Sequence, residues 1–359
     1  PSASISSSRP TSVSPMPSSS LIVSVAWMVP TIPGIEESGY LTSDTMWDAL
    51  SDEPQPPARL AILGGGPIGC EMAQAFARLG SRVTLIEQGE RLLAREDAEV
   101  SALVEEVLGA EGVDIRTGRE VVRIQEGRVV LDPDFDEGVL FDRLLVAVGR
   151  RPRLAGYGLE ALGIGTDRAL ETNDWLETLY PNIYAVGDVA GPFQFTHAAS
   201  HQAWHAAVNA LFGSVRRFRV DYSVLPWVTF TDPEVAHVGH NEASARAAGI
   251  AYEVVRHDLA HLDRAVAEGA TEGFVKLLVR PRNDRILGAT IVGHNAGETI
   301  AAIALAMKYR LGLKKLLATV HAYPTMAEAA KLAAGDWRRA HAPERLLRWA
   351  ERYHGWRRG

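Results

Sequence analysis

An apolar run ending in spaced glycines leaves this chain few folds to choose from. Ala58 to Leu63 reads as a buried strand that meets Gly64-x-Gly66-x-x-Gly69 and passes into a helical pattern from Cys70 to Leu79. Gly80 stops that helix, and Arg82 to Glu87 reads as a second buried strand. Strand, turn, helix and strand form a βαβ unit with parallel pairing, the context in which this glycine spacing binds a dinucleotide. Each residue has a physical task. Gly64 permits the tight turn, Gly66 lets the backbone approach a pyrophosphate, and Gly69 lets the helix pack closely on the sheet. Pro67 and Ile68 fill the first helical turn, whose N–H groups and partial positive charge face the phosphates. Glu87 closes the second strand about 20 positions on, where a carboxylate accepts from the adenosine ribose hydroxyls and repels a 2′-phosphate. NADH is therefore expected over NADPH. A glycine turn that merely joins strand to helix would not require that acid. Cys70 stands in the helix's first turn, where a thiol pKa can fall; the preferred reading is a small buried hydrophobe.

The remaining text divides by pattern. Ser and Pro dominate the start, so residues 1–29 are expected to be disordered. The nucleotide domain is assigned to 58–149, with further strands around 114–116, 120–125, 128–131 and 144–148. Near 219–222 the pattern turns to strands alternating with helices, as in an open antiparallel α+β sheet. Residues 336–359 read as one helix rich in Arg and Trp. The fold class is thus α/β, a Rossmann-type domain followed by an α+β domain. A formal charge of −7 argues against nucleic acid as a partner. The single cysteine rules out an intrachain disulfide and suits a reducing compartment, so a cytoplasmic location is expected.

Several motifs then appear in order: GGGPIGCE (64–71), LLVAVGRRP (144–152), NIYAVGDVAG (182–191), FTHAASHQA (195–203), FTDPEVAHVG (230–239) and HAYPTMAEA (321–329). Together they resemble the pyridine nucleotide–disulfide oxidoreductases, over roughly 30–332. The resemblance implies FAD beside NAD. Asp188 matches the aspartate that binds the flavin's ribityl chain, and Gln194, Phe195, Thr196 and His197 match the segment lying against the isoalloxazine. Gly149 matches a glycine near the nicotinamide nucleotide, and Val122 a contact to adenine. It also implies that 30–57 is a linker resembling the junction of the two nucleotide domains, 150–220 the later part of the FAD domain, and 221–335 a dimerisation domain, hence a homodimer. Tyr323 and Glu328 match the family's tail pair, with tyrosine where the disulfide reductases carry an acid–base histidine. A phenol, with an ordinary pKa near 10, is a poor base at neutral pH. No metal site is expected: His197 and His201 lie four apart without a third ligand.

The family's first βαβ flavin motif, its Cys-x4-Cys pair and the lysine that pairs with the residue matching Glu71 do not occur in this sequence. The resemblance then implies a truncated or frameshifted reading frame, ahead of a natural two-chain enzyme. Two functions stay open: a NADH-dependent FAD flavoprotein reducing a disulfide, a metal ion or a quinone-like acceptor, or a NADH-binding dimerisation module without independent redox activity. For the final Arg/Trp helix, packing on its own dimer is preferred to contact with a membrane surface.

Overall fold

The computed structural model describes residues 20–22, 25–132, 138–154, 156–165, 169–191 and 193–359. The chain divides into two compact units, one made of 1–26 with 150–220 and the other of 27–149 with 221–359.

Two short strands come first, β1 (Ser20–Ile22) and β2 (Val25–Trp27). The expected disorder over 1–29 is corrected for these residues. An apolar run rich in β-branched residues supplies a strand wherever a partner edge is available. Residues 1–19 and 23–24 lie outside the described part. The segment read as a linker, 30–57, packs on the nucleotide domain. It carries the helix α1 (Met46–Leu50), and Leu41 bridges to Leu145. Leu41 and Met46 are buried in the nucleotide domain's core, because an apolar side chain left on a linker would forfeit that burial.

The nucleotide domain follows as β3 (Arg59–Leu63), α2 (Pro67–Arg78), β4 (Arg82–Ile86), α3 (Ala98–Ala110), β5 (Asp114–Arg116), β6 (Val121–Gln125), β7 (Arg128–Leu131), β8 (Val139–Leu140) and β9 (Arg143–Val146). Its parallel sheet has the order β5-β4-β3-β9, and β6-β7-β8 form a separate antiparallel sheet. Alternation along the central strand explains the two layers. Leu60 and Ile62 belong to the core shared with Phe76, Val104 and Leu108 of the helices. Ala61 and Leu63 belong to the core shared with Ile124, Val129 and Leu131 of the small sheet.

The discontinuous unit continues with β10 (Arg150–Pro152), β11 (Ile183–Ala185) and the long helix α4 (Thr196–Phe212). Within it β1 runs parallel to β11, with Leu21 opposite Tyr184.

The α+β domain comprises β12 (Pro226–Thr229), β13 (Glu234–Gly239), α5 (Glu242–Ala247), β14 (Glu253–Asp258), α6 (Asp263–Glu268), β15 (Phe274–Val279), β16 (Ile286–Gly293), α7 (Ala296–Lys308), α8 (Leu313–Ala318), α9 (Glu328–Ala340) and α10 (Glu344–Arg358). Its antiparallel sheet has the order β12-β13-β16-β15-β14. One face, with Ala236, Val275, Leu277 and Ile291, packs under α7 and α9. On the other face Val235, Phe274 and Val292 join the nucleotide domain's core. The single helix expected over 336–359 is corrected to two. Pro343 disfavours helical dihedrals in the residue before it, so α9 ends at Ala340 and α10 starts anew. Trp337, assigned to the terminal helix by sequence, lies in the α+β core.

A polar row crosses the same face as Phe274. His237, Thr290, Lys276 and Arg256 are cross-strand neighbours in register. They meet the acidic segment that opens α3. Lys276 Nζ donates to Asp97 at 2.8 Å, Glu99 at 2.6 Å and Glu242 at 2.5 Å, and it is 2% exposed. Desolvation opposes its charge, but the three carboxylates outweigh that and raise its pKa above the ordinary lysine value. The ammonium sits among the three carboxylates whose oxygens lie within 4.8 Å of one another. Glu96 Oε1 accepts from Trp227 Nε1 at 2.8 Å, and its Oε2 lies 3.6 Å from His237.

Candidate functional site

The glycine turn closes β3 as the sequence requires. Gly64 has φ +105°, and a Cβ there would stand 2.6 Å from the Ala147 carbonyl oxygen at the end of β9. Its N–H donates to Ile86 O at 2.8 Å, which ties the turn to β4. Gly69 is held by contact rather than dihedral: an added Cβ would lie 1.8 Å from Gly64 O. Gly66 is the reverse case, since a Cβ there meets nothing within 4 Å. That open face lies at the N-cap of α2, with Pro67 and Ile68 in the first turn and no side chain capping the helix. The first N–H groups of a helix have no acceptor within it, so they are available to an anion. These residues fit a dinucleotide pyrophosphate.

Glu87 follows β4. Its Oε2 accepts from Gly65 N–H and its Oε1 from Gly89 N–H, both at 2.6 Å. The carboxylate therefore braces the loop in which it sits. A carboxylate has about four acceptor positions, so two remain for vicinal hydroxyls. Gly65 and Gly89 were given no role from sequence; the readable signal was the glycine between Gly64 and Gly66 and the Gln-Gly step after Glu87. A Cβ on Gly65 would approach Leu92 Cδ2 to 2.5 Å. Gly149 lies just past β9 with φ +136°, and Val122 sits on β6, 44% exposed.

Cys70 lies behind the turn, wholly buried, with Sγ 3.4 Å from Gly65 O. Burial, followed by the negative charge of Glu71, pushes its thiol well above the ordinary range. Thiolate is the reactive form, so this sulfur packs. Glu71 accepts from Phe230 N–H at 2.8 Å; burial raises its carboxyl pKa and that hydrogen bond opposes the rise.

The second expected site belongs to the other unit. Gly187 and Asp188 begin a 3-10 turn directly after β11. Gln202 of α4, fully buried, accepts from Gly187 N–H at 2.5 Å and so fixes the turn. Arg150 lies 3.6 Å from Asp188 Oδ2 and donates to Gln194 O at 2.7 Å, while Gln194 Nε2 donates back to Arg150 O at 3.3 Å. The arginine thus joins the aspartate to the segment Gln194, Phe195, Thr196 and His197. Phe195 and His197 stack at 5.2 Å across the uncapped start of α4. Burial raises the Asp188 carboxyl pKa, and Arg150 draws it back. A half-buried acceptor at a strand end fits a polyol hydroxyl. Arg150 and Gln202 escaped the sequence reading because their partners lie 44 and 15 residues away.

The tail residues stand apart from both nucleotide loops in chain order. Tyr323 is 69% exposed, and its phenol donates to Asp263 Oδ2 at 2.9 Å. That hydrogen bond raises its pKa above the ordinary phenol value. Glu328 Oε2 accepts from Thr325 N–H at 3.4 Å, closing the turn before α9. Asp263 is a further residue that sequence did not reveal.

A Rossmann-type nucleotide domain joined to an antiparallel α+β domain, with an aspartate-tipped strand in a second unit, defines a two-nucleotide oxidoreductase fold. The chain belongs to the pyridine nucleotide-disulphide oxidoreductase family. The family's pattern matches residues 23–203, and its dimerisation domain matches 225–334. A mercuric reductase of Streptomyces lividans is 40% identical over 312 residues, covering 85% of this chain and 64% of the relative. A dihydrolipoyl dehydrogenase of Thermus scotoductus is 38% identical over 308 residues, covering 82% and 66%. The chain thus spans just under two thirds of the length of these curated relatives. Among solved structures, the HOCl-induced flavoprotein disulfide reductase RclA from Escherichia coli superposes with a TM-score of 0.78 at 31% identity, covering 87% of this chain and 71% of that one. Among the described residues no helix is long and apolar enough to cross a membrane.

Proposed function

We propose that this chain supplies the NADH-binding and dimer-forming part of a flavin-dependent oxidoreductase that acts on a disulfide, a metal ion or another small acceptor. The observation that carries the reading is the open, uncapped start of α2 at Gly66, with Glu87 braced beside it. When bound, NADH and FAD supply the hydride and electron chemistry. The residues of the chain bind and orient. Gly66, Ile68 and Gly69 would offer N–H groups to the pyrophosphate, with Gly64 shaping the turn and Pro67 opening the helix without a donor; Glu87 would accept from the ribose, and Gly149 and Val122 would contact the nucleotide. Asp188, positioned through Arg150, would accept from the flavin's polyol chain, and the segment from Gln194 to His197 would contact its ring. Tyr323, held by Asp263, offers a phenol proton at neutral pH rather than a base.

Charge decides the nucleotide preference. NADH should bind more tightly than NADPH in isothermal titration, because Glu87 opposes a 2′-phosphate. Glu87→Ala should weaken NADH by about 1–2 kcal/mol, the worth of a charge-assisted hydrogen bond. Equal affinity for the two nucleotides would remove the assigned role.

One observation favours a second reading, a NADH-binding homodimer without redox turnover of its own. The polypeptide has a single cysteine, and that thiol is buried and protonated. Light scattering and a visible spectrum of the purified 359-residue polypeptide separate the two. A dimer that binds NADH but carries little flavin, with no NADH-driven reduction of lipoamide, glutathione disulfide or mercuric ion, is the expected result. Stoichiometric FAD with turnover that vanishes in Cys70→Ser would assign the chemistry to this chain and overturn the packing role of its cysteine.

A further inference from the structure

The last helix lies outside the family's matched segment, which ends at residue 334. Among side chains described on α10, only Ala350 is partly covered; the others are exposed. Trp349, Tyr353 and Trp356 are spaced by four and three residues, which places them on one face of an α-helix. Their exposures are 63%, 41% and 78%. Trp349 and Tyr353 stack with ring centres 5.7 Å apart and planes 9° apart, and Trp356 follows 6.3 Å from Tyr353. The aromatic face is therefore built as a continuous strip and left uncovered by its own chain.

Charge is sorted around that strip. At about 100° per residue, Arg345 and Arg352 fall along one edge and Arg357 along the other; Arg348 stands farther round, and Arg358 shares the opposite side with Glu344 and Glu351. The helix carries five arginines against two glutamates, in a chain of net charge −7. Among the described residues no carboxylate pairs with any of those arginines. Screening confines their field to roughly 8–10 Å at ordinary ionic strength. A surface meeting α10 therefore experiences the helix rather than the whole acidic protein.

We propose that α10 is a membrane-surface anchor that lays Trp349, Tyr353 and Trp356 into the headgroup region of an anionic bilayer while the flanking arginines pair with lipid phosphates. Tryptophan and tyrosine have an apolar ring and one polar atom, which suits the boundary between acyl chains and headgroups. Arginine extends its stem along the apolar strip and keeps its charge at the phosphates. A basic rim beside an aromatic face fits an interfacial helix. Charge selects this occupant over a second copy of the helix, since pairing two such strips would set arginine rims against each other. This reading departs from the sequence-based preference for packing on the chain's own dimer.

The test uses the full polypeptide with vesicles of phosphatidylglycerol and phosphatidylcholine, about one third anionic, against vesicles of phosphatidylcholine alone. Co-sedimentation should favour the anionic vesicles by roughly tenfold or more, and the preference should collapse at about 0.5 M salt. Trp349→Ala with Trp356→Ala, and separately Arg345→Glu with Arg352→Glu, should each reduce binding at least tenfold while circular dichroism and mass stay unchanged. All four side chains are exposed, so folding does not depend on them. Equal binding to both vesicle types, or tryptophan variants that bind as the parent does, overturns the proposal. So does a loss of oligomeric mass in the tryptophan variants, which would assign the strip to a contact between copies.

Discussion

Lys276→Met should destabilise the folded protein by about 3–5 kcal/mol, the usual consequence of removing one partner from a buried ionic cluster. Methionine matches the lysine stem in length, so the loss comes from charge rather than from a cavity. Asp97, Glu99 and Glu242 would then face one another without the ammonium that separates them. Arg256 still pairs with Glu99 and Arg246 with Glu242, which leaves the buried Asp97 as the acid that loses its cation. The pH dependence has a definite sign. Lys276 holds the Glu242 carboxyl below its ordinary range, so that group stabilises the protein above its unfolded pKa, near 4.3, and loses this as pH falls through the lower folded value. The lysine's raised pKa contributes fully below its unfolded value, near 10.4, and so throughout the neutral range. In Lys276→Met the penalty should therefore shrink between pH 7 and about pH 4.5, as the acids take up protons. Denaturant unfolding at the two pH values measures it. A variant within 1 kcal/mol of the parent at pH 7 would contradict the burial and pairing described for this cluster.

The second large effect separates two glycines that one motif treats alike. In Gly69→Ala the new Cβ has no room against Gly64 O, so the turn itself must move. Overpacking of this kind costs about 1–3 kcal/mol, and NADH affinity should fall by about a hundredfold as the N–H groups lose their aim, or about 2.7 kcal/mol. In Gly66→Ala the methyl meets only open space within the protein. Thermal stability should hold, while NADH affinity drops roughly tenfold, about 1.4 kcal/mol, because the methyl stands where the pyrophosphate approaches. Titration calorimetry beside thermal unfolding reads both. A Gly66→Ala protein with unchanged NADH affinity would move the nucleotide away from this turn.

What could be read in the sequence was what local backbone physics dictates. A glycine that needs φ +105°, an acid at the end of the next strand and an apolar run that alternates between two cores all follow from short-range rules. The residues that escaped are joined by register or by distance in the chain. Lys276 meets Asp97 across 179 positions, and Tyr323 meets Asp263 across 60. Neither pairing has a local signature. Ser20–Ile22 was missed because three residues carry no period, and their partner strand lies at Ile183–Ala185. The break between α9 and α10 could have been read at Pro343, but the density of Arg and Trp on both sides disguised it.

The interruption of one folded unit by residues 150–220 has a consequence for synthesis. The core of the nucleotide domain is finished by Val235, Phe274 and Val292, all beyond the interruption. A ribosome adding about 5–20 residues per second delivers Phe274 on the order of ten seconds after Gly149. During that interval the nucleotide domain's core lacks the three residues that complete it. Lys276 likewise arrives late to Asp97 and Glu99, which spend the interval facing water. Nascent chains arrested after Val220 should therefore be cut readily by protease within the first 149 residues, and chains arrested past Ala340 should resist. Equal resistance at both arrest points would mean that the nucleotide domain seals its core unaided.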